Sequence, residues 1–344
     1  MLKQDIRKAS KEDLEAFFLA HNEKKYRTSQ IYEWFWKKSS TSFDDMSNLS
    51  IKTRNLLQEH YQINPALLDQ TQQSSDGTVK SGFKLHDGNV VEGVLIPTKN
   101  RMTACISSQV GCSLSCKFCA TGFMDRKRNL DAGEIYDQVV AIKKQAEQNF
   151  GKPLTNIVYM GMGEPLLNYA NVIKSIEYIS SPSGLQMSPQ RITVSTAGVS
   201  KMIERLGDDK TRFNLALSLH AADDDKRDKI MPINKTNSLD VLKKALRYYF
   251  DKTKNDVTFE YIIFKGFNDQ IEDAKKLIKF TKVVPSKINI IEYNPVDGAD
   301  FKRADSDVTD RFRDYLEKYG VNARIRRSRG KDIDAACGQL ANKN

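Results

Sequence analysis

The sequence predicts an α/β protein built on a mainly parallel sheet, and three observations support this prediction. From about residue 100 onward, short strand-like runs alternate with longer amphipathic stretches, a pattern typical of parallel strands joined by right-handed helical crossovers. The chain has 344 residues, enough for one large domain and a smaller one. Its hydrophobic content is 40%, which excludes wholesale disorder. With about six such units, either a doubly wound sheet or an open barrel is possible.

Residues 1–72 are predicted to form a small helical domain. Asp13 to Phe18 is a short apolar-rich stretch. In the segment SQIYEWFWKKS, Ile31, Trp34 and Phe35 stand at helical spacing, and Ile51, Leu56 and Leu57 lie in a third candidate helix. Basic residues flank the aromatic second segment, namely Lys24, Lys25, Arg27, Lys37 and Lys38. These charges fit a solvated surface or, as a more specific hypothesis, an accessory RNA-binding domain in which cations lie beside aromatic rings.

Residues 73–99 are predicted to be a β connection. A turn is expected from Ser74 to Gly77, and the segment that follows reads as two strands joined at Asp87-Gly88. An Asp-Gly pair between apolar runs is a strong hairpin signal. This segment therefore marks the boundary between the helical domain and the main domain.

Residues 100–344 are predicted to be the main domain, with strands alternating with helices. One helix shows its apolar face through Ile135, Val139, Ile142 and Ala146, and another through Leu239, Leu242, Leu246 and Tyr249. The predicted strands are Thr103–Ser107, Asn156–Met160, Arg191–Ser195, Asn214–Leu219, Thr258–Phe264, Lys287–Ile291 and Asn322–Ile325.

Charge and hydropathy narrow the possible partners and the compartment. The formal net charge is +10, which favours a polyanionic partner such as nucleic acid. No apolar run is long enough to cross a bilayer, so no membrane association is expected. The first residues lack the apolar core of a signal peptide, so we expect a mature cytosolic protein. No obligate protein partner is inferred.

Three of the five cysteines are crowded into one segment, GCSLSCKFCATG. Cys112, Cys116 and Cys119 follow a C-x₃-C-x₂-C spacing on what is predicted to be a loop after a strand. A closed structural zinc site needs four ligands, and so does a ferredoxin-type cluster. Three thiolates therefore suggest a [4Fe–4S] cluster with one iron open to a small molecule. A zinc site with a distant fourth ligand such as His220 is the alternative.

The spacing of CSLSCKFC resembles the signature of the radical S-adenosylmethionine (SAM) superfamily. In order along the chain come VVEGVLIP, CISSQVGCSLSCKFCATG, RNL, GMGEPLLN, TVSTAG, ALSLHA, YNP and RGKDIDAACGQL. Together these segments resemble the adenine-C2 methyltransferases of ribosomal and transfer RNA over nearly the whole chain. The resemblance implies a partial (β/α)6 radical-SAM barrel with a small helical N-terminal accessory domain.

The resemblance also implies the cofactors and partners. One [4Fe–4S] cluster would be held by Cys112, Cys116 and Cys119, and two SAM molecules would be used per turnover. The substrates would be 23S rRNA, at the peptidyl-transferase centre, and tRNA next to the anticodon. A reduced electron donor such as flavodoxin would supply the electron.

Two cysteines outside the cluster motif, together with Glu92, receive catalytic roles from the same resemblance. Carbon 2 of adenine is not nucleophilic, so ordinary methyl transfer to it fails and a carbon radical is needed. Cys337, in a segment predicted to be mobile, is expected to carry the methyl group to the base. Cys105 is expected to release the product by forming a transient disulfide with Cys337. Glu92 is the candidate proton acceptor.

Residues that contact SAM are expected at the carboxyl ends of parallel strands, where barrels place their ligands. The glycines of GMGEP allow close approach, and its glutamate can accept from the amino group of SAM. The full set of expected cofactor contacts is Gly163, Glu164, Ser195, Ser218, Leu219, His220 and Asn294.

Two basic runs are expected to contact RNA phosphates. One lies beside the cluster motif and the other precedes the methyl-carrying cysteine; their members are Arg126, Lys127, Arg128, Arg324, Arg326, Arg327, Arg329 and Lys331. Two alternative functions remain open at this point. One is methylation of carbon 8 of the same ribosomal adenine, as in antibiotic-resistance enzymes, and the other is a non-catalytic, zinc-containing RNA-binding protein.

Overall fold

The computed structural model describes residues 3–342, and its first part is helical, as predicted. Helices form at all three predicted segments, and two short flanking strands pair in parallel. The elements in order are β1 (Gln4–Asp5), α1 (Lys11–Ala20), α2 (Arg27–Trp36), α3 (Ile51–His60) and β2 (Tyr61–Gln62). Ser10 caps α1 through a capping box with Asp13, and Ser50 caps α3.

An antiparallel meander follows and joins the main sheet. The predicted hairpin is present as β4 (Val79–Lys84) and β5 (Val90–Pro97). An additional strand, β3 (Leu67–Gln73), pairs with β4. The sequence does not predict β3 because all seven of its residues are exposed, so it shows no apolar alternation. Since β5 pairs with the next strand of the main domain, one sheet crosses both expected boundaries. The division at residues 72 and 99 stays a prediction.

The main domain repeats a strand–helix unit. Its elements are β6 (Met102–Cys105), β7 (Gln109–Val110), β8 (Arg128–Asn129), α4 (Ala132–Phe150), β9 (Asn156–Tyr159), α5 (Tyr169–Ser180), β10 (Ile192–Thr196), α6 (Ser200–Asp208), β11 (Asn214–Ser218), α7 (Asp224–Ile230), α8 (Leu239–Thr253), β12 (Val257–Ile263), α9 (Ile271–Thr281), β13 (Ser286–Glu292), α10 (Ser306–Lys318) and β14 (Ala323–Arg326). The apolar faces predicted on α4 and α8 are buried.

The strand order decides between the two predicted architectures. Seven parallel strands follow one another in the order β6-β9-β10-β11-β12-β13-β14. A doubly wound sheet would reverse its order at a switch point, and this sheet does not. Inward-facing residues from β6 and β14, at opposite ends of the parallel part, line one cavity. The sheet is therefore curved into a partial barrel of six β/α units and a seventh strand, as expected of a radical SAM fold.

The helical N-terminal part packs against α4 and α5 on the outside of the barrel. Trp36 stacks on Tyr178 with ring centroids 3.5 Å apart, and the hydroxyl of Tyr136 donates to the carbonyl of Trp36 at 2.7 Å. The buried Arg7 guanidinium pairs with Asp5 and Asp137. Among residues 3–342, no helix is long and apolar enough to cross a membrane.

Candidate active site

The cysteine-bearing loop begins and ends at a short antiparallel pair of strands, β7 and β8. Two glycines let the loop fold tightly on itself. Gly111 has φ +73°, and a Cβ there would lie 2.2 Å from the carbonyl oxygen of Asp125. A Cβ on Gly122 would lie 2.5 Å from the carbonyl oxygen of Cys116. Because only glycine fits at these two positions, the loop can bring its three thiols together.

The three thiols line a cavity of about 150 Å³ at the carboxyl ends of the strands, here called the cluster cavity. Other predicted site residues line it as well, namely Gly163, Glu164, Ser195, Ser218, His220 and Cys337. Arg326 and Glu260 also belong to its wall. The structure therefore brings together the expected cluster ligands, most of the expected SAM contacts and the expected methyl carrier.

The donor set of the cluster cavity fits an iron–sulfur cluster. Burial raises the pKa of the Cys112 thiol to about 11, and it also raises the pKa values of Cys116 and Cys119. Such thiols stay protonated until a metal replaces the proton. In the described part of the chain, no group of three His, Cys, Asp or Glu side chains is placed so that it could hold a single metal ion. Cluster ligands need no such arrangement, because each thiolate of a cluster can bind a different iron.

The GMGEP segment presses closely against the strand that precedes the cluster loop. A Cβ on Gly163 (φ +92°) would lie 2.4 Å from Cβ of Gln109, so glycine is required there. The Glu164 carboxylate accepts from the backbone N–H of Ala197 at 2.8 Å and of Leu166 at 3.0 Å. Burial nevertheless raises the pKa of Glu164 to about 7. An ammonium group of a ligand would favour its ionised form.

The strand-end residues Ser195 and Ser218 lie side by side, with their hydroxyl oxygens 3.3 Å apart. His220 is buried, and its Nδ1 lies 3.1 Å from the backbone nitrogen of Ile262. Because that nitrogen donates its hydrogen, the ring proton belongs on Nε2. Burial and the nearby Arg227 lower the pKa of His220 to about 3, so the imidazole is neutral at ordinary pH.

Two of the expected SAM contacts, Leu219 and Asn294, do not line the cluster cavity. Leu219 is fully buried, and its backbone groups bond to the carbonyl of Glu260 and to Arg227. Asn294 is also buried and donates through Nδ2 to the hydroxyl of Ser328 and to the carbonyl of Cys337. Its position therefore suits holding the methyl-carrier segment.

A second cavity, of about 500 Å³, occupies the barrel interior and is here called the lumen cavity. Cys105 and Cys337 both line it, together with Glu260 and Arg326. Burial raises the pKa of the Cys105 thiol to about 12, and Arg326 acts in the opposite direction. The wall is polar along the strands, with Thr103, Asn156, Thr193, Thr258, Lys287, Asn289 and Arg324 facing inward. A polar, basic cavity suits a nucleotide better than an apolar ligand.

The segment around Cys337 is held in place, whereas the sequence predicts a mobile one. The carbonyl of Gly338 accepts from the N–H of Ala120 at 2.7 Å, next to the cluster loop. The carbonyl of Leu340 accepts from the hydroxyl of Thr121 at 2.6 Å. Small residues such as Ala336 are buried here, so their size serves close packing.

Glu92, the third predicted catalytic residue, does not share a cavity with Cys105 and Cys337. Its side chain is 5% exposed and lines neither the cluster cavity nor the lumen cavity. The carboxylate instead bonds to the backbone of Ala341 and Asn342 and lies near Lys80. General-base catalysis requires hydrogen-bond reach of the substrate proton, and the role of proton acceptor stays a prediction for Glu92.

The two predicted RNA-binding runs divide into exposed and engaged residues. Arg126, Lys127, Arg324 and Arg327 are exposed, and Arg327 also lies 3.5 Å from a carboxylate oxygen of Glu292. Others are engaged within the fold: Arg128 in ion pairs with Glu134 and Asp87, Arg326 in the cavity walls, Arg329 on the carbonyl of Pro97, and Lys331 with Glu292. Neighbouring basic residues of the same run therefore differ in whether their side chains can bind RNA phosphates.

The sequence analysis does not predict two buried charged residues, Glu260 in the cavity wall and Arg227 beside it. Glu260 is 4% exposed, and one of its carboxylate oxygens, Oε2, has no hydrogen-bond partner among the described residues. Arg227 is fully buried and donates to the carbonyls of Leu219 and Ala197. A single glutamate inside the apolar strand VTFEYIIF was the available signal for Glu260, since a charged residue is rarely buried unless it has a partner.

This fold and this thiol-lined cavity define the class to which the protein belongs, that of the radical SAM enzymes. Residues 106–278 match the family described as the Radical SAM superfamily. Residues 4–63 match a second family, described as the ribosomal RNA large subunit methyltransferase N-terminal domain. The second match covers the helical N-terminal part of the chain.

Comparison with individual proteins narrows the class to one family. A probable dual-specificity RNA methyltransferase RlmN from Cytophaga hutchinsonii is 60% identical, over 99% of this chain and 93% of that protein. A dual-specificity RNA methyltransferase RlmN from Geobacter sulfurreducens is 44% identical, over 98% of this chain and 92% of that protein. The crystal structure of a radical SAM methyltransferase from Sphaerobacter thermophilus, 37% identical, superposes with a TM-score of 0.91 and covers 98% of this chain and 99% of that one. The chain belongs to the RlmN family of dual-specificity RNA methyltransferases, which replaces the alternative of a non-catalytic zinc protein.

Proposed function

We propose that this enzyme makes 2-methyladenosine in 23S rRNA, at the peptidyl-transferase centre, and in tRNA next to the anticodon. The single observation that carries the proposal is the shared location of Cys105 and Cys337. Both thiols line the lumen cavity, and Cys337 also lines the cluster cavity. One side chain can therefore face both the methyl donor and the RNA base. We expect the enzyme to act in the cytoplasm, where both RNA substrates occur.

Cys112, Cys116 and Cys119 would hold one [4Fe–4S] cluster, which with SAM would supply a carbon radical. Two SAM molecules would be used per turnover, because one supplies the methyl group and the other supplies the radical. Glu164 would receive the amino group of SAM, and Ser195 and Ser218 would bind its hydroxyl or carboxylate oxygens. A reduced electron donor such as flavodoxin would be required. The neutral His220 would donate from Nε2 without adding charge.

The two thiols would carry the covalent steps. The Sγ of Cys337 loses its proton and accepts the methyl group of one SAM, which would leave as S-adenosylhomocysteine, so that a thioether forms. The methyl carbon, after losing one hydrogen atom to the radical derived from the second SAM, bonds to carbon 2 of adenine and links protein to RNA. The adduct then loses the proton of carbon 2 and one electron, which would return to the iron–sulfur cluster, and the aromatic ring is restored. The thiolate of Cys105 then attacks the Sγ of Cys337. The S–S bond forms, the S–C bond breaks with its electron pair on carbon, and a proton completes the methyl group. Reduction of the disulfide by cellular thiols restores both cysteines.

The proposal is tested by replacing each thiol separately. Cys105→Ala should stop the reaction after the protein–RNA bond has formed, so a covalent adduct should accumulate. Cys337→Ala should give neither adduct nor product, because no methyl carrier remains. Both variants keep the three cluster ligands, and their iron content and absorbance should match the wild-type enzyme. Electrophoresis under denaturing conditions detects the adduct.

Mass spectrometry of nucleosides from the reacted RNA identifies the methylated carbon. Product formation by the Cys337→Ala variant would contradict the assignment of the methyl carrier. Methylation at carbon 8 in place of carbon 2 would contradict the proposed regiochemistry and leave the roles of the two thiols standing.

A further inference from the structure

The Glu92 carboxylate, in the middle of β5, holds the end of the C-terminal segment. Its Oε2 accepts hydrogen bonds from the backbone N–H of Ala341 at 2.9 Å and of Asn342 at 3.1 Å. Its Oε1 lies 3.5 Å from Nζ of Lys80, on the neighbouring strand β4. The side chain of Asn342 also donates to the carbonyl of Val90 at 2.7 Å. Residues 341–342 are thus joined to the antiparallel part of the sheet.

Burial makes this contact strong and specific. Glu92 is 5% exposed and Lys80 is 6% exposed, so the two charges are paired away from water. A buried carboxylate is costly unless a cation balances it and its oxygens accept hydrogen bonds. Lys80 and the two backbone N–H groups meet that need. Hydrogen bonds to an ionised acceptor are roughly twice as strong as neutral ones, so Glu92 holds the segment better than a neutral side chain would.

Glu92 can influence Cys337 although its side chain lines neither cavity of the site. It lines a pocket against β3, β4 and β5. Ala341 follows Cys337 by four residues, and four residues of extended chain span at most about 14 Å. Fixing residues 341–342 therefore limits how far Cys337 can move, in addition to the hydrogen bonds at Gly338 and Leu340.

We propose that Glu92, with Lys80 as its counter-charge, is a positioning residue that keeps Cys337 in the site. It does so through its hydrogen bonds to the backbone of Ala341 and Asn342, a contact here called the latch. The reaction of Cys337 rests on the proposed function, whereas the latch is a contact within the fold. A Glu92 that removed a proton from the RNA base would act after the base had bonded to Cys337. The latch acts before that bond forms. The two roles therefore predict failure at different steps.

The first test measures the latch without any reaction. Glu92→Gln keeps the size of the side chain but removes its charge, so a neutral amide oxygen replaces the ionised acceptor of both backbone N–H groups, and the NH₂ group cannot pair with Lys80. Amide hydrogen exchange in a C-terminal peptide containing Ala341 and Asn342 should accelerate at least tenfold, while exchange in α4 and α8 stays unchanged. Unchanged exchange in the C-terminal peptide would overturn the proposal.

The second test locates the step that fails. After incubation with SAM and reductant, methylation of Cys337 in Glu92→Gln should be at least tenfold slower than in the wild-type enzyme, and no protein–RNA adduct should accumulate. Normal methylation with an accumulating adduct would identify Glu92 as a proton acceptor and overturn the latch as its role. If the wild-type enzyme itself shows no methylated Cys337, the proposed function fails, and hydrogen exchange still decides the latch.

A third variant removes the latch without touching Glu92. Ala341→Pro deletes one of the two backbone donors, because proline has no N–H, whereas Ala341→Gly keeps it and serves as the control. The proline variant should slow methylation of Cys337 as Glu92→Gln does, and the glycine variant should remain within threefold of the wild-type rate. Equal rates for the two Ala341 variants would contradict the proposal, and this comparison stands even if Glu92→Gln fails to fold.

Discussion

Glu260 occupies the centre of β12, a strand whose seven residues are all buried. Its Oε1 accepts from Nδ2 of Asn289 at 2.8 Å, while Oε2 remains without a partner among residues 3–342. Burial raises the pKa of this carboxyl group, and Arg326 opposes that shift. Leaving a buried acceptor unsatisfied costs about 1–3 kcal/mol. A donor on a bound ligand, such as a hydroxyl or amino group, would remove this cost.

Replacing Glu260 by glutamine should therefore affect stability and activity in opposite directions. Glu260→Gln keeps an acceptor for Asn289 and removes the buried charge, so the free energy of unfolding should stay equal or rise by about 1 kcal/mol. Methylation should fall at least tenfold, because an amide NH₂ would face the ligand donor. Thermal unfolding and single-turnover kinetics measure the two effects. A variant that loses stability but keeps full activity would show that Glu260 serves the fold alone.

At the scale of elements, the N-terminal helices join the barrel through a buried ion-pair network. Arg7, which precedes α1, donates to Asp137 on α4 at 2.9 Å and to the carbonyl of Asn64 at 2.7 Å. Asp137 also accepts from the backbone N–H of Ala66 at 2.9 Å. One carboxylate of α4 therefore connects the start of the chain with the segment that leads into β3.

Breaking this network should destabilise the protein much more than breaking an exposed ion pair. Arg7→Met leaves the Asp137 carboxylate buried without its partner, and such a change costs about 3–5 kcal/mol. The matched control is Lys8→Met, because the ion pair of Lys8 with Asp131 is partly exposed and should be worth less than about 1 kcal/mol. Urea unfolding measures both values. Equal losses in the two variants would contradict the importance of the buried network.

At the scale of the whole molecule, the net charge of +10 should favour binding of RNA. The exposed cations near the lumen cavity should contribute most to the affinity for RNA. Arg327 is exposed and lines the lumen cavity. Arg329 is already bound to the carbonyl of Pro97. Phosphate contacts release counterions, so each contact adds to the dependence of binding on salt.

Arg327→Gln should weaken binding to a tRNA anticodon stem–loop and reduce the slope of log affinity against log salt by about one unit. Lys318→Gln, an exposed cation at the end of α10, is the matched control and should change neither quantity. Fluorescence anisotropy over a range of salt concentrations measures both variants. An unchanged slope for Arg327→Gln would place the RNA elsewhere on the molecule.

Local signals predicted much of this molecule. The seven parallel strands lie within two residues of their expected positions, because buried strands are apolar runs whose neighbours in the sequence are amphipathic. The spacing of Cys112, Cys116 and Cys119 predicted a shared loop, and the structure shows all three on the wall of one cavity. Resemblance to a family, borne out by the comparisons, supplied the class of reaction.

The sequence by itself determined the strands, the helices and the thiols of the cluster loop, because each depends on residues that are near one another in the chain. Periodicity left the architecture of the sheet open, and the family resemblance implied the partial barrel that the structure shows. Only the tertiary structure decided that β3 extends the sheet and that Glu260 faces the cavities with an unsatisfied oxygen. It also decided that Glu92 bonds to residues 341–342, about 250 positions away in the chain. Contacts at such separations depend on how the whole sheet curves, and local periodicity contains no information about that curvature.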